Sequence, residues 1–527
     1  MGNTTITNFT NGGTIKSTSG VGVNIASGTT ISNLENTGTI NGSDGIKVNS
    51  ATLQNLENSG TISGSVNGVK VEGNGAIDTI INRGTIYGNS TGIYAIKKIN
   101  TIQNYGTIKG NGADAIRIGA GSTIDNITNH GVIEGNRGGI YAFNNSYIKT
   151  AINSSTGTII THTEGYNIDN QLYALGVFGG LYGSPQTDYL KNEGLILSAG
   201  AGMGASYHNK KNVQTIENSG TIVYNKGQNN GHESWGTGAG IYNYNAHTTL
   251  INNSGIMHVL NGIWLRNSST AETILNSGTI NAYNRGLMLQ GGKVDTIKNT
   301  GTIIAGNLAV DIGSNAGTVT FEGKNSFVAA DGITAVGSYR TTDSIALKDG
   351  ATIAAINFNE DRTAYTFDYE GLALLNQGTI NKSISLDGGS KIIGILRNSG
   401  NIKEGISLDK ESKIIGALHN KNTIGGNISL NDKSYITSIN NEKTIQGSID
   451  LKNKSHIDSI INSGTIDGGI KLNDSTIGSI TNNEGAKTDL DLSNNSVVGT
   501  ITNNGDMLIS RDETSSIGTF ANNGNLK

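Results

Sequence analysis

Hydrolysis, elimination and metal binding each demand particular side chains at particular spacings, and the reactive residues of this chain can be tested against those demands. Glycoside hydrolysis needs two carboxylates facing one cleft. Asp44, Asp78, Asp114, Asp125 and Glu134 instead stand singly along the sequence. The densest acidic group is Glu360-Asp361-Arg362 with Asp368 and Glu370, which reads as a solvated turn. A polysaccharide lyase would need clustered carboxylates for Ca²⁺ with a basic residue beside them, and this scatter does not supply them. His208, His232, His247 and His258 share a region without metal-ligand spacing. There is no GxSxG elbow, and Gly42-Ser43-Asp44-Gly45 has the letters of a GDSG serine segment in another order. Gly110-Asn111-Gly112-Ala113-Asp114 matches half of a calcium-binding nonapeptide but occurs once, where such rolls need tandem copies. The expectation is a protein that is not an enzyme, with no catalytic residue, no metal site and no cofactor.

Aromatic residues carry the stronger signal. Both tryptophans and 14 of the 18 tyrosines fall between residues 87 and 283. Exposed rings on a stiff scaffold suit sugar stacking or protein contact. The ligand-contact candidates are Tyr166, Tyr173, Phe178, Tyr182, His232, Trp235, Tyr242 and Tyr244. The competing reading is a small satellite core that folds each insertion back onto the scaffold.

What positions these residues is a repeat. The pattern [Ile/Leu/Phe]-x-Asn-x-Gly-x-[Ile/Leu/Met] recurs from residue 9 to residue 526, and sixteen copies keep both the Asn and the Gly. They include Asn36, Asn58, Asn82, Asn104, Asn129, Asn218, Asn276, Asn299, Asn376, Asn398 and Asn462. From Asn376 the successive spacings are 22, 22, 21, 21, 20, 21 and 19 residues, the signature of a solenoid. One period, Asn376 to Asn398, splits into Thr379-Ile380-Asn381, Ser383 to Leu386 and Lys391 to Asn398. Such short alternating pieces fit half-buried strands that pair in parallel with their counterparts one period on. The reading is all-β: a right-handed parallel β-helix with three strands and about 21–24 residues per coil. In Ile460-Ile461-Asn462 the period of two turns the amide inward beside the isoleucine. Stacked amides can then satisfy one another as a ladder. Gly464 follows at the corner, where a positive φ is expected.

The whole chain, residues 1–527, reads as one solenoid, and departures from the period divide it. Insertion loops are expected at 160–192 and 223–250, where the motif is missing or delayed. Residues 300–375 read as irregular coils, about three and a half of them, continuing with a different corner. Residues 376–527 form the most regular block. In the first block the outward position of each Gly-Ile-Lys-Val-like strand is often basic or aromatic, as at Lys47, Lys70, Tyr94 and Arg117. About 20 coils would span on the order of 100 Å.

Composition narrows the partners. Net charge is −4, so no nucleic-acid footprint is visible. Cysteine is absent and Pro185 is the single proline beside 76 glycines, which excludes disulfide staples and collagen. No apolar run approaches a membrane span of about 20 residues, so stable membrane insertion is not expected. The repeat runs into both ends, and the expectation is a piece of a longer protein.

The three-strand period, the Asn-x-Gly-Thr-Ile corner in NSGTI at 58–62, 218–222, 276–280 and 462–466, and the missing cysteines together resemble one class. That class is the passenger domain of Gram-negative type V autotransporters, of the large repetitive kind found in Campylobacter, Helicobacter and Fusobacterium. The resemblance implies export through the outer membrane to an extracellular or cell-surface location. It implies an adhesin that presents loops to a host-cell or bacterial surface protein or glycan, with self-association as a further expectation. A vacuolating-cytotoxin-like toxin, using Leu172 to Tyr182 on membranes, and a polysaccharide-degrading enzyme are the alternatives.

Overall fold

The computed structural model describes residues 4–143, 145–163, 173–178, 186–206, 212–226 and 238–527. It is a parallel β-solenoid with three strands per coil and about 21 turns. By compactness the chain forms two units, Met1–Glu272 and Thr273–Lys527.

In the first unit one face is built from Thr4–Asn11, Thr29–Asn36, Thr52–Asn58, Ala76–Asn82 and their successors through His247–Asn253. Each strand pairs in parallel with its counterpart in the next coil, so that Asn11, Asn36 and Asn58 lie in one column. Valine, isoleucine and leucine from all three faces fill the interior, and Ile40, Ile62, Ile77, Val69 and Ile86 are fully buried. Burial of each such side chain contributes about 1.5–3 kcal/mol.

The asparagines form the expected ladder. Asn36 Nδ2 donates to Asn58 Oδ1 at 2.8 Å, Asn58 to Asn82 at 2.8 Å, and Asn82 to Asn104 at 2.8 Å. The second amide proton serves the corner: Asn58 Nδ2 also lies 3.2 Å from the Gly60 and Thr85 carbonyls. Each buried amide is thus satisfied by the coil it closes and the coil that follows.

The corner glycine has a different cause from the expected one. Gly60, Gly84 and Gly464 are absent from the positive-φ residues. A Cβ on Gly60 would stand 2.0 Å from the Gly38 carbonyl oxygen, and one on Gly464 would stand 1.9 Å from that of Lys443. Close stacking of successive corners, not left-handed backbone, requires glycine there.

The second unit shows where the repeat changes course. Asn276 donates to Asn299 at 2.7 Å, but the next residues in that column are Phe321 and Leu347. The ladder ends on Ser326, whose Oγ accepts from Asn299 Nδ2 at 3.0 Å. It resumes at Asn376 on another face, in the column Leu289, Ile312, Ser338, Asn376 and Asn398. The expected change of corner is therefore present. The gap is shorter than the expected three and a half coils, because Asn299, Phe321 and Leu347 mark two and the wall strands Thr352–Phe358 and Leu372–Asn376 supply most of a third. Thr352–Phe358 and Tyr365–Phe367 add an antiparallel hairpin to the third coil, the one such pairing among the described residues.

After Asn376 the coils are plain. Ile380, Ile384, Leu386 and Leu396 point inward as expected. A second corner there carries two consecutive left-handed residues in most coils, among them Lys410 and Glu411 at φ 50 and 64 and Asp432 and Lys433 at φ 48 and 61, and a single one at Asp474. A buried serine closes each turn, with Ser412 Oγ donating to Asp409 O at 2.7 Å and Ser434 Oγ to Asn431 O at 2.6 Å.

Candidate functional site

The expected insertions contain wall strands as well as excess chain. Tyr173–Phe178 pairs in register with Ile140–Phe143 and Ala201–Ser206, and Ala239–Tyr244 pairs with Ala201–Ser206 and Ile256–Arg266. Tyr166, Tyr182, His232 and Trp235 lie outside the described residues. Phe178 is placed by its backbone alone, opposite Phe143 and Ser206.

Tyr173 and Tyr242 are both fully buried, which corrects the expectation of exposed stacking rings. A Cβ on Gly176 would stand 2.5 Å from Tyr173 Cγ, and one on Gly204 would stand 2.9 Å from Tyr173 Cε1. The Tyr173 ring occupies the room those two glycines leave on the outward side of the wall. Tyr242 packs edge-on to Trp264 at 5.0 Å between centroids. These rings form a satellite core. Tyr244 is half-buried, with the Arg266 guanidinium 6.0 Å from its ring centre.

Next to that core the outward column Lys47, Lys70, Tyr94, Arg117 and Tyr141 runs in register. Lys47 and Lys70 both pair with Glu72, at 2.5 and 2.7 Å. Asp114 sits behind Arg117 with only 1% of its surface exposed. Neither of its oxygens has a hydrogen-bond partner of good geometry, and the nearest guanidinium nitrogen, from Arg117, is 3.7 Å away. Burial pushes its carboxyl above the usual range, against the opposing pull of Arg117 and Arg137.

The best exposed cluster lies in the second unit. Ile304, Ala329, Ala354, Ile393 and Ile415 follow one another in register between inward residues, so an apolar stripe faces outward. The hairpin covers it. Ala329, Ala354, Ile356 and Ile393 become buried, with Phe327 and Phe358 packed against them. The turn is closed by Asn359, whose backbone N–H donates to Ala364 O at 3.0 Å and whose Oδ1 accepts from Ala364 N at 2.8 Å. Asp368 Oδ1 accepts the Glu370 and Gly371 amides at 3.0 and 2.9 Å where the hairpin rejoins the wall. The acidic cluster is therefore a turn and a backbone cap, as its polarity suggested. Glu360 and Asp361 are exposed at the tip.

Rings cover the outer side of this hairpin. Tyr365 stacks on Phe327 at 5.8 Å and meets Phe358 and Phe367 edge-on at 6.4 and 6.0 Å. Arg362 lies over Phe358 at 4.5 Å and over Tyr283 at 5.5 Å. Gly306 leaves room for it, since a Cβ there would stand 2.7 Å from Arg362 Nη1. Tyr283 is 61% exposed, Tyr369 54%, Tyr365 40% and Phe367 39%. Exposed rings on and beside the hairpin, with one half-buried guanidinium packed over Tyr283 and Phe358, match the composition of energetic centres in protein contacts. The sequence signal for this site was Phe358 and the alternating Tyr365-Thr366-Phe367-Asp368-Tyr369, inside the stretch already marked as irregular.

Among the described residues no three His, Asp or Glu side chains converge to hold a metal ion. A groove of about 470 Å³ runs along the left-handed corner, lined by Lys410, Glu411, Asp432, Lys433, Asn453, Lys454 and Asp474. Its charges partly answer one another, as Lys433 and Glu411 do at 3.6 Å. Compared with known protein families, characterised proteins and solved structures, the chain finds no match.

Proposed function

We propose that this chain is an autotransporter passenger that works as a non-enzymatic adhesin on the bacterial surface. In this reading it is exported through the outer membrane and binds a surface protein or glycan of a host cell or another bacterium. The observation that carries the reading is the aromatic hairpin. It exposes Tyr365, Phe367 and Tyr369 beside Tyr283 of the wall strand Thr279–Gln290, and its turn is fixed by its own hydrogen bonds. Pre-ordered rings lose little conformational freedom on binding, which favours affinity. The competing toxin reading relied on Leu172 to Tyr182 as a membrane contact, and Tyr173, Ala174 and Leu175 are fully buried in the wall.

The test is attachment of the purified chain to epithelial and bacterial cells. Replacing Tyr365, Phe367 and Tyr369 by serine together should leave the coils folded, with a lower unfolding temperature from the lost packing of Tyr365 on Phe327 and Phe358. Attachment should weaken about 30-fold or more, the loss of one binding centre of roughly 2 kcal/mol. Attachment at parental strength by a folded triple variant would sink the proposal.

A further inference from the structure

A second concave surface lies in the first unit and shares no residue with the hairpin. On the face formed by Thr14–Lys16 and its successors, Lys16, Asn41, Ser63 and Tyr87 project outward in register. Successive coils space them by about 4.8 Å. The chain leaving this face at residues 17–22 stands beside them as a wall. It is held there by three backbone bonds to the next coil: Ser17 N to Asn41 O at 2.9 Å, Ser43 N to Gly20 O at 2.7 Å and Gly22 N to Asp44 O at 3.0 Å. Ser17 Oγ accepts the Gly20 amide at 2.9 Å and closes the turn. Wall and face together bound a cleft of about 460 Å³, within the range of small-molecule sites.

The lining decides the ligand class. It holds serine, threonine, asparagine and glycine, one ring from Tyr87, one charge from Lys16, and no aliphatic side chain. An apolar ligand finds no partner in such a lining. An extended peptide would need unpaired strand edges, and the strands carrying Asn41, Ser63 and Tyr87 each pair on both sides. A pyranose suits it, because hydroxyls ring its edge and C–H groups cover its faces. Amides and hydroxyls can bond the edge, while a tyrosine ring supports a face. Two of these groups are already oriented: Asn41 Nδ2 donates to Ser63 Oγ at 2.8 Å and Tyr87 OH to Asn89 Oδ1 at 3.3 Å. Asn41 keeps its Oδ1 and a second amide proton for a ligand. Lys16 is exposed, and no ion pair among the described residues engages it.

We propose that this cleft binds a carboxylated saccharide, with Tyr87 beneath the sugar ring, Asn41 and Ser63 on its hydroxyls and Lys16 on its carboxylate. The inference goes beyond the hairpin contact, since it assigns a different site and a ligand class.

Calorimetric titration of the full chain tests it, with trigalacturonate and sialyllactose as acidic probes and maltotriose and lactose as neutral ones. At least one acidic probe should bind about tenfold more tightly than its neutral counterpart at low salt, a preference that narrows as salt rises. Lys16→Gln should abolish that preference. Tyr87→Ser should weaken the bound acidic probe about tenfold or more. Both side chains face outward, so the unfolding temperature should stay near the parental value in each variant. The triple hairpin variant should bind the probes normally. Absence of binding by every probe at millimolar concentration would overturn the assignment. So would undiminished binding in Tyr87→Ser, or loss of binding in the hairpin variant.

Discussion

The coils up to Asn299 and those from Asn376 use the same seven-residue corner on different faces. In the second unit Asn276 and Asn299 end strands whose column goes on to Phe321 and Leu347. In the later coils that column is leucine, through Leu386, Leu408 and Leu430, and the amides stand in the column of Ile312 and Ser338. The corner is thus a portable module. Its amide needs only a like amide above and below, and its glycine needs only a close carbonyl, so either face can supply them. The handover leaves a mark at each end. Asn299 turns to Ser326, and Asn376, first in the new ladder, has a buried Oδ1 without a hydrogen-bond partner.

If the two ladders are equivalent, interrupting either should cost the same. Asn82→Leu removes the acceptor of Asn58 and the donor to Asn104, and Asn441→Leu does the same between Asn420 and Asn462. Each should destabilise its neighbourhood by about 3–5 kcal/mol, from two or more buried groups left unsatisfied. Denaturant unfolding together with hydrogen exchange in the adjacent coils measures this. A loss confined to one ladder would show that the face matters after all.

Buried carboxylates give a second comparison. Asp114 and Asp311 are both pushed up by burial, but Asp311 accepts a 3.0 Å bond from Arg285 Nη1 and Asp114 has no such bond. For Asp114 the folded state favours the protonated form. Its contribution is fully present below the unfolded pKa and is lost as pH rises through the raised folded value. Asp114→Asn should therefore stabilise the protein at pH 7, by about 1–2 kcal/mol, with the gain vanishing below about pH 4. Asp311→Asn should gain less, because it forfeits a charge-assisted bond. Thermal unfolding of both variants between pH 3 and 8 decides it. A gain for Asp114→Asn that does not change with pH would contradict the account.

The smallest effect concerns the handover. Ser338→Asn would place an amide directly below Asn376 and give its Oδ1 a donor, for a gain of about 1 kcal/mol. A rise in unfolding temperature of a few degrees would confirm it. A fall would show that the space around Ser338 and Thr342, whose hydroxyls lie 2.9 Å apart, is too tight for the larger side chain.

Much of this architecture could be read from residue order. The period-two alternation in Ile460-Ile461-Asn462 turns the amide inward, and Asn462 is fully buried with its ladder bond to Asn482 at 2.9 Å. The cause of the glycine was less legible, because it depends on a carbonyl some 22 residues away in sequence that stacking brings to where a Cβ would stand, as with the Gly38 oxygen, 2.0 Å from a Cβ placed on Gly60. The fate of the aromatics was hidden for the same reason. Tyr173 is buried on the outward side of the wall because Gly176 and Gly204, in successive coils, leave a ring-sized gap. The hairpin could be suspected from its alternating rings. Its docking could not, since the stripe of Ala329, Ala354 and Ile393 exists only once coils align.

The sequence by itself determined the coil: strands of period two, corners every 19 to 25 residues in the regular blocks, and an inward amide at each. These are local properties, fixed by side-chain alternation and by the cost of burying an unpaired amide. Which face carries the amides, which rings are core and which are surface, and where a polar cleft opens were decided by the tertiary structure. Those outcomes depend on residues one or more coils apart in sequence that meet only after stacking.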